Sequence, residues 1–199
     1  MKLGFLASNS GSSMRAIIAA IEARELAAEA RLVVSNRAQA PALRFAVDDG
    51  LPTRVIPTAK SPEAADEALA NALAEAGVEL VILSGYLRKL GPITLTRFAN
   101  RILNIHPALL PRHGGAGMYG RRVHEAVLTA GDRTSGATVH LVDGEYDHGG
   151  AIARVEVPVL DTDDAASLEA RVMAAEPKLF VETLQKLAAG TLRLPETSR

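Results

Sequence analysis

NRILNIHPALLP, residues 100–111, decides how this chain is read. Its first half, RILNIH (101–106), is a short apolar run that reads as a buried strand. Yet the run ends in Asn104 and His106, and Pro107 follows at once. Residues two apart on an extended strand point to the same side, so the amide and the imidazole share a face. Pro107 fixes its own φ and biases His106 towards an extended backbone, which holds the ring at the strand's exit. A neutral amide can donate to a developing oxyanion, and an imidazole exchanges protons near neutral pH. The plainer reading is a hydrogen-bonded Asn–His pair that merely closes a strand.

Outward from this strand, short apolar runs alternate with helical patterns. Upstream lie the strand candidates KLGFLAS (2–8), ARLVVSN (30–36), PTRVIP (52–57) and VELVILSG (78–85). Between them, Met14, Ile17, Ile18 and Ile21 recur at helical spacing, and APALRFAVDDG (40–50) is a helix closed by Gly50. A further helix opens with Ser61 as N-cap and Pro62 in its first turn, and stops at Gly77. Such repetition predicts an α/β fold, an open and mostly parallel twisted sheet with helices on both faces. Right-handed crossovers set the C-terminal ends of the strands along one edge, where ligands of such sheets gather. Downstream, a helix (121–130) leads to SGATVHLVD (135–143) and AIARVEVPV (151–159), joined by GEYDHGG (144–150). These two strands are expected as an antiparallel addition to the sheet. A helical run over 163–189 then closes what reads as one domain, 1–199, with Pro177 expected to kink or divide it.

The totals remove several classes of function. With 22 basic and 23 acidic residues interspersed, the chain has no electrostatic footprint for nucleic acid or an anionic membrane. It has no cysteine, which excludes disulfides, thiolate-bound zinc and thiol catalysis. The five histidines form no HExxH or similar cluster, so a dedicated metal site is not expected. MKLGFLASNSGSS lacks the longer apolar run of a signal peptide, and no segment approaches the roughly 20 apolar residues of a membrane span. A cytoplasmic protein is the expectation.

Four further features carry chemistry. SNSGSSM (8–14) runs from a strand into a helix. Backbone N–H groups at a helix start, aided by hydroxyls and the helix dipole, attract phosphate. Gly11 lets the backbone approach an anion and Ser12 and Ser13 donate; a capped βα turn is the plainer alternative. Asp147, flanked by Gly149 and Gly150, is the natural carboxylate partner of His106, where it would favour the charged imidazolium. His140 shares a strand face with Thr138 and Val142 and reads as supportive. Glu176 falls inside the apolar stripe of Leu168, Val172, Leu179 and Thr183, so it must face a cleft or find a partner such as an arginine.

Together these segments resemble the phosphoribosylglycinamide formyltransferases, folate-dependent enzymes of purine synthesis, over nearly the whole chain and in matching order. NSGSSM resembles their phosphate loop, LSGYLRKLGP their folate-binding segment, LNIHPALLP their catalytic strand, and GATVHLVDGEYDHGG the part with the catalytic aspartate. The resemblance implies transfer of a formyl group from 10-formyltetrahydrofolate to the amine of 5-phosphoribosylglycinamide, in a monomer or homodimer with no required metal. It implies Asn104, His106 and Asp147 as catalytic, and Gly11, Ser12, Ser13 and Glu176 as binding the phosphosubstrate. Leu87, Arg88, Lys89 and Leu90, largely through backbone groups, with Asn104 and His140, would hold the folate. Residues 1–100 would form a phosphosubstrate-binding half and residues 101–199 a catalytic and folate-binding half.

Two stretches depart from the family's pattern. GGAGMYG (114–120) replaces a version containing Pro-Gly, and its composition suggests a moving lid. Pro62 stands roughly where some members place an arginine near the folate tail, a role left to Lys60 or Arg88. The competing readings are a formyltetrahydrofolate hydrolase, expected to carry an added N-terminal module, and a methionyl-tRNA formyltransferase, expected to carry a C-terminal one. From another class comes a non-catalytic phosphosugar-binding module, against which the Asn104, His106 and Asp147 set argues.

Overall fold

The computed structural model describes residues 1–59 and 61–196. Five strands, β1 (Lys2–Leu6), β2 (Glu29–Ser35), β3 (Thr53–Val55), β4 (Leu80–Leu83) and β5 (Ile102–His106), pair in parallel. Then β6 (Thr134–Leu141) pairs antiparallel with β5, and β7 (Ala151–Pro158) antiparallel with β6. The sheet order is β3-β2-β1-β4-β5-β6-β7, so the α/β arrangement read from the sequence is the one observed.

The helices α1 (Ser12–Glu22), α2 (Pro41–Asp48), α3 (Pro62–Glu75), α4 (Pro92–Arg97), α5 (Arg121–Thr129) and α6 (Ala165–Ala188) complete the fold. Central strands covered on both faces must be apolar on both, which explains the unbroken run LVIL of β4. Leu3, Phe5, Leu80, Ile82 and Leu103 face a core shared with Met14, Ile17, Val172 and Phe180. Leu6, Val81, Leu83 and Ile102 face a second core with Leu69, Leu73 and Phe98.

Three local readings change. The proline in the last helix does not divide it: α6 runs unbroken through Pro177. An internal proline costs about 3 kcal/mol. Leu168, Val172, Leu179 and Phe180 are all buried on either side of it, each contributing about 1.5–3 kcal/mol. Burial wins. Ser61 does stand at the N-cap of α3, but its hydroxyl makes no capping bond. Finally, α4 is an element that the sequence pattern did not announce. Its N-cap is Gly91, and its first amides are satisfied from another helix: Asp66 of α3 accepts from Ile93 N–H at 2.8 Å and Thr94 N–H at 3.1 Å.

β1 is the topological switch point. The chain moves from it towards β2 and β3 on one side, and returns to β4 and β5 on the other. Loops leaving β1 and β4 therefore part in opposite directions and open a crevice at their carboxyl ends.

Candidate active site

That crevice widens into a cavity of about 680 Å³. Its wall includes Gly11, Ser12 and Ser13 after β1, Leu87 and Arg88 after β4, Asn104 and His106 of β5, Asp147 and Glu176. Residues far apart in the chain thus meet because parallel strands deliver their ends to one edge.

Gly11 is the N-cap of α1 at φ 64°, a left-handed conformation that favours glycine, and it brings no capping side chain. Among the described residues, no hydrogen-bond acceptor faces the amides of Ser12 or Ser13. Two free donors at the positive end of an 11-residue helix make a seat for an anion.

The His106 corner is built from side chains. Nε2–H of His106 donates to the carbonyl of His113 at 2.8 Å, while Nδ1 lies 3.3 Å from Asp147 Oδ2. Acceptors thus face both nitrogens of the buried ring. Asp147 adopts φ 54°, and its Oδ2 also accepts from Gly115 N–H at 3.0 Å. Its loop closes against β6 so tightly that a Cβ at Gly149 would lie 2.0 Å from the Leu141 carbonyl oxygen. Burial pushes the Asp147 carboxyl upward, but the hydrogen bond and charge of His106, with the Gly115 amide, outweigh it and hold it below the usual range.

His140 stands opposite Asn104 in the β5–β6 register. Its Nδ1–H donates to the Leu141 carbonyl at 2.7 Å, which leaves Nε2 to accept from Asn104 Nδ2 at 3.1 Å. Burial lowers its pKa, in keeping with a neutral ring. Asp147 Oδ1 is 3.5 Å from that same Nε2, where two acceptors form no hydrogen bond. His140 thus aims the Asn104 amide and leaves its second N–H free.

Glu176 reaches the same cavity from α6, and no described residue offers it a hydrogen bond or ion pair. Of the two outcomes open to it, the cleft and not an arginine is the one found. Burial raises its carboxyl to about 7, against a smaller lowering by His106.

Of the expected folate segment, Leu87 and Arg88 line the cavity, whereas Lys89 and Leu90 do not. Lys89 extends over the Tyr146 ring, 5.8 Å from its centroid, and the Leu90 side chain is packed into the core. The ring of His140 likewise lies behind Asn104 and off the wall. Of the two residues named in place of an arginine at position 62, Arg88 lines the cavity and Lys60 lies outside the described residues. Asn36, Arg37, His124, Glu169 and Met173 are wall residues that the sequence reading missed. Asn36 and Arg37 follow β2, so the strand-end rule applied there would have found them. His124 and Glu169 carry no such local signal. Among the described residues, no group of three or more His, Cys, Asp or Glu could hold a metal ion.

The Formyl transferase family model matches residues 1–184. The chain belongs to the formyl transferase family. A phosphoribosylglycinamide formyltransferase of Haemophilus influenzae is 32% identical over 98% of this formyl transferase and 91% of its own length. The chloroplastic phosphoribosylglycinamide formyltransferase of Vigna unguiculata is 40% identical over 94% of the chain, which spans 60% of the plant protein's length. In structure, glycinamide ribonucleotide transformylase 1 from Symbiobacterium toebii superposes with a TM-score of 0.89 at 34% identity, covering 98% of this chain and 91% of the other. The family is thus the one to which the sequence motifs pointed, and it extends over the same elements that build the cavity.

Proposed function

We propose that this formyl transferase moves the formyl group of 10-formyltetrahydrofolate to the amine of 5-phosphoribosylglycinamide, yielding formylglycinamide ribonucleotide and tetrahydrofolate. The observation that carries it is the 3.3 Å approach of Asp147 to His106, beside Asn104, in a cavity shared with the free amides of Ser12 and Ser13. The phosphate sits on residues 11–13, Glu176 receives the amine, and Leu87 and Arg88 face the folate. On this reading residues 1–100 supply the phosphosubstrate seat and residues 101–199 the catalytic groups, in a cytoplasmic enzyme acting on small molecules.

The chemistry follows from the donors present. As the amine nitrogen bonds to the formyl carbon, the carbonyl electron pair moves onto oxygen. The free N–H of Asn104 and the charged ring of His106 stabilise that oxyanion. Nε2–H is held by His113, so Nδ1–H, more loosely bound at 3.3 Å, is the proton free to move. It passes to the folate nitrogen as the carbon–nitrogen bond breaks. Asp147 accepts the proton shed by the attacking nitrogen, directly or through water, and returns it to His106. No formyl-enzyme intermediate is needed.

The test is spectroscopic. Folate product is expected only when both 10-formyltetrahydrofolate and 5-phosphoribosylglycinamide are present. Release of formate at a comparable rate without the acceptor would replace this reading with a hydrolase.

A further inference from the structure

Two buried serines lie on opposite sides of the topological switch point, and each serves the other side. Ser8 follows β1 and leads into the Ser/Gly loop. Its hydroxyl nevertheless accepts from Leu87 N–H at 2.9 Å, across the crevice, and donates to Asn36 Oδ1 at 2.6 Å. Ser84 follows β4 and leads into residues 87–90, yet its hydroxyl accepts from Met14 N–H at 3.0 Å in the first turn of α1. Both are almost wholly buried, at 1% and 3% exposure. Ser8 N–H adds a bond to the Gly85 carbonyl at 3.1 Å.

The exchange has a physical cause. The N-cap of α1 is a glycine with no side chain to give, so the helix start takes a hydroxyl from the neighbouring strand's loop. Ser84 satisfies Met14 N–H and so fixes the direction in which the amides of Ser12 and Ser13 point. Conversely, the backbone after β4 is irregular and belongs to no ladder. Ser8 supplies the protein acceptor for Leu87 N–H.

We infer that Ser8 and Ser84 are crossed positioning residues: Ser8 sets the backbone of the folate segment, and Ser84 sets the amides of the phosphate seat. Ser8 is not among the wall residues of the cavity; Ser84 is, but its hydroxyl is committed to Met14 N–H. The inference rests on the assignment of the phosphosubstrate to residues 11–13 and of the folate to Leu87 and Arg88.

The experiment titrates Ser8→Ala and Ser84→Ala separately with tetrahydrofolate and with 5-phosphoribosylglycinamide, by calorimetry, alongside steady-state kinetics. Loss of one buried hydrogen bond corresponds to about tenfold. Ser8→Ala is therefore expected to weaken tetrahydrofolate about tenfold and the acceptor less than about threefold. Ser84→Ala is expected to do the reverse, with kcat at saturation nearly unchanged in both. Should an alanine variant not fold, Ser8→Cys and Ser84→Cys keep a weaker acceptor and are expected to show the same crossing at smaller size. Equal weakening of both ligands in each variant, or weakening only of the ligand on the serine's own loop, overturns the inference. A separate arm uses the dephosphorylated glycinamide riboside. If the wild type binds it as tightly as the phosphorylated acceptor, the phosphate-seat assignment fails, while the effect of Ser8→Ala on tetrahydrofolate still decides Ser8's part.

Discussion

The Ser/Gly loop and the His106 corner occupy one cavity but present their polar groups by opposite means. The loop works through main-chain amides, held by a left-handed Gly11 and the start of α1. Its substituents matter less than its path. The corner works through side chains gathered from β5, β6 and the 142–150 connection, and each is held by a further bond: His106 Nε2 to His113, His140 Nδ1 to Leu141, and the Asp147 oxygen that faces His106 to Gly115 as well. A seat built from backbone tolerates substitution of its residues. A corner built from interlocking side chains does not, because every removal also releases a neighbour.

The widest gap between the two regions should appear in turnover. His106→Ala and Asp147→Asn are each expected to lower kcat by about 10²–10⁴, with the fold preserved in thermal unfolding. The double variant should be scarcely slower than the worse single one, since the groups act as a unit. Near-normal turnover in either purified single variant would break the comparison at its catalytic end.

At the other end, Ser12→Ala with Ser13→Ala removes two hydroxyls but leaves both amides. KM for 5-phosphoribosylglycinamide is expected to rise about tenfold, with kcat and the folate KM within about threefold. A loss shared equally between the two ligands would show that the loop does not hold the phosphate.

The same contrast explains what the sequence could reveal. The alternation of strands and helices, the antiparallel addition and the loop before α1 are legible because each is announced by a contiguous pattern. Asn104 and His106 are legible because two residues on one strand share a face. The Asp147–His106 contact needed a remote partner to be supplied, and the flanking glycines only hinted at it. Only Pro92 marks α4 locally, and its first amides are capped by Asp66 from α3; nothing local marks Ser84, whose role is to finish another element's helix. Of the two outcomes expected at Pro177, division of the helix is not found, because packing on both sides holds α6 together. Features decided by tertiary partners leave no trace at the spacing of a motif.

Glu176 belongs to neither region and gives the smallest but most diagnostic effect. Burial raises its carboxyl to about 7, well above the ordinary carboxylate range near 4.3. Below that ordinary range both folded and unfolded chains hold the proton, and the stability it contributes is fully present. As pH climbs towards 7 the unfolded chain ionises first, so stability is lost through this window and remains lost above it. Glu176→Gln has no such proton. Relative to wild type its Tm should be unchanged near pH 4 and should gain at pH 8, at roughly 2–4 °C for each kcal/mol recovered. Activity should move the other way. The ionised carboxylate is the form that can draw in the acceptor's ammonium and take its extra proton, leaving a neutral amine to attack, so wild-type kcat/KM should rise through about pH 7 as stability falls. His106, Asp147, His124, Glu169 and Arg121 also face this part of the cavity or lie beside it, but they are common to both proteins and cancel in the difference. If the two proteins kept a constant Tm gap from pH 4 to 8, Glu176 would not be the buried, proton-holding carboxylate that its place in α6 requires. A flat gap would also remove the reason for an unpaired acid between two regions that otherwise leave few polar atoms without a partner.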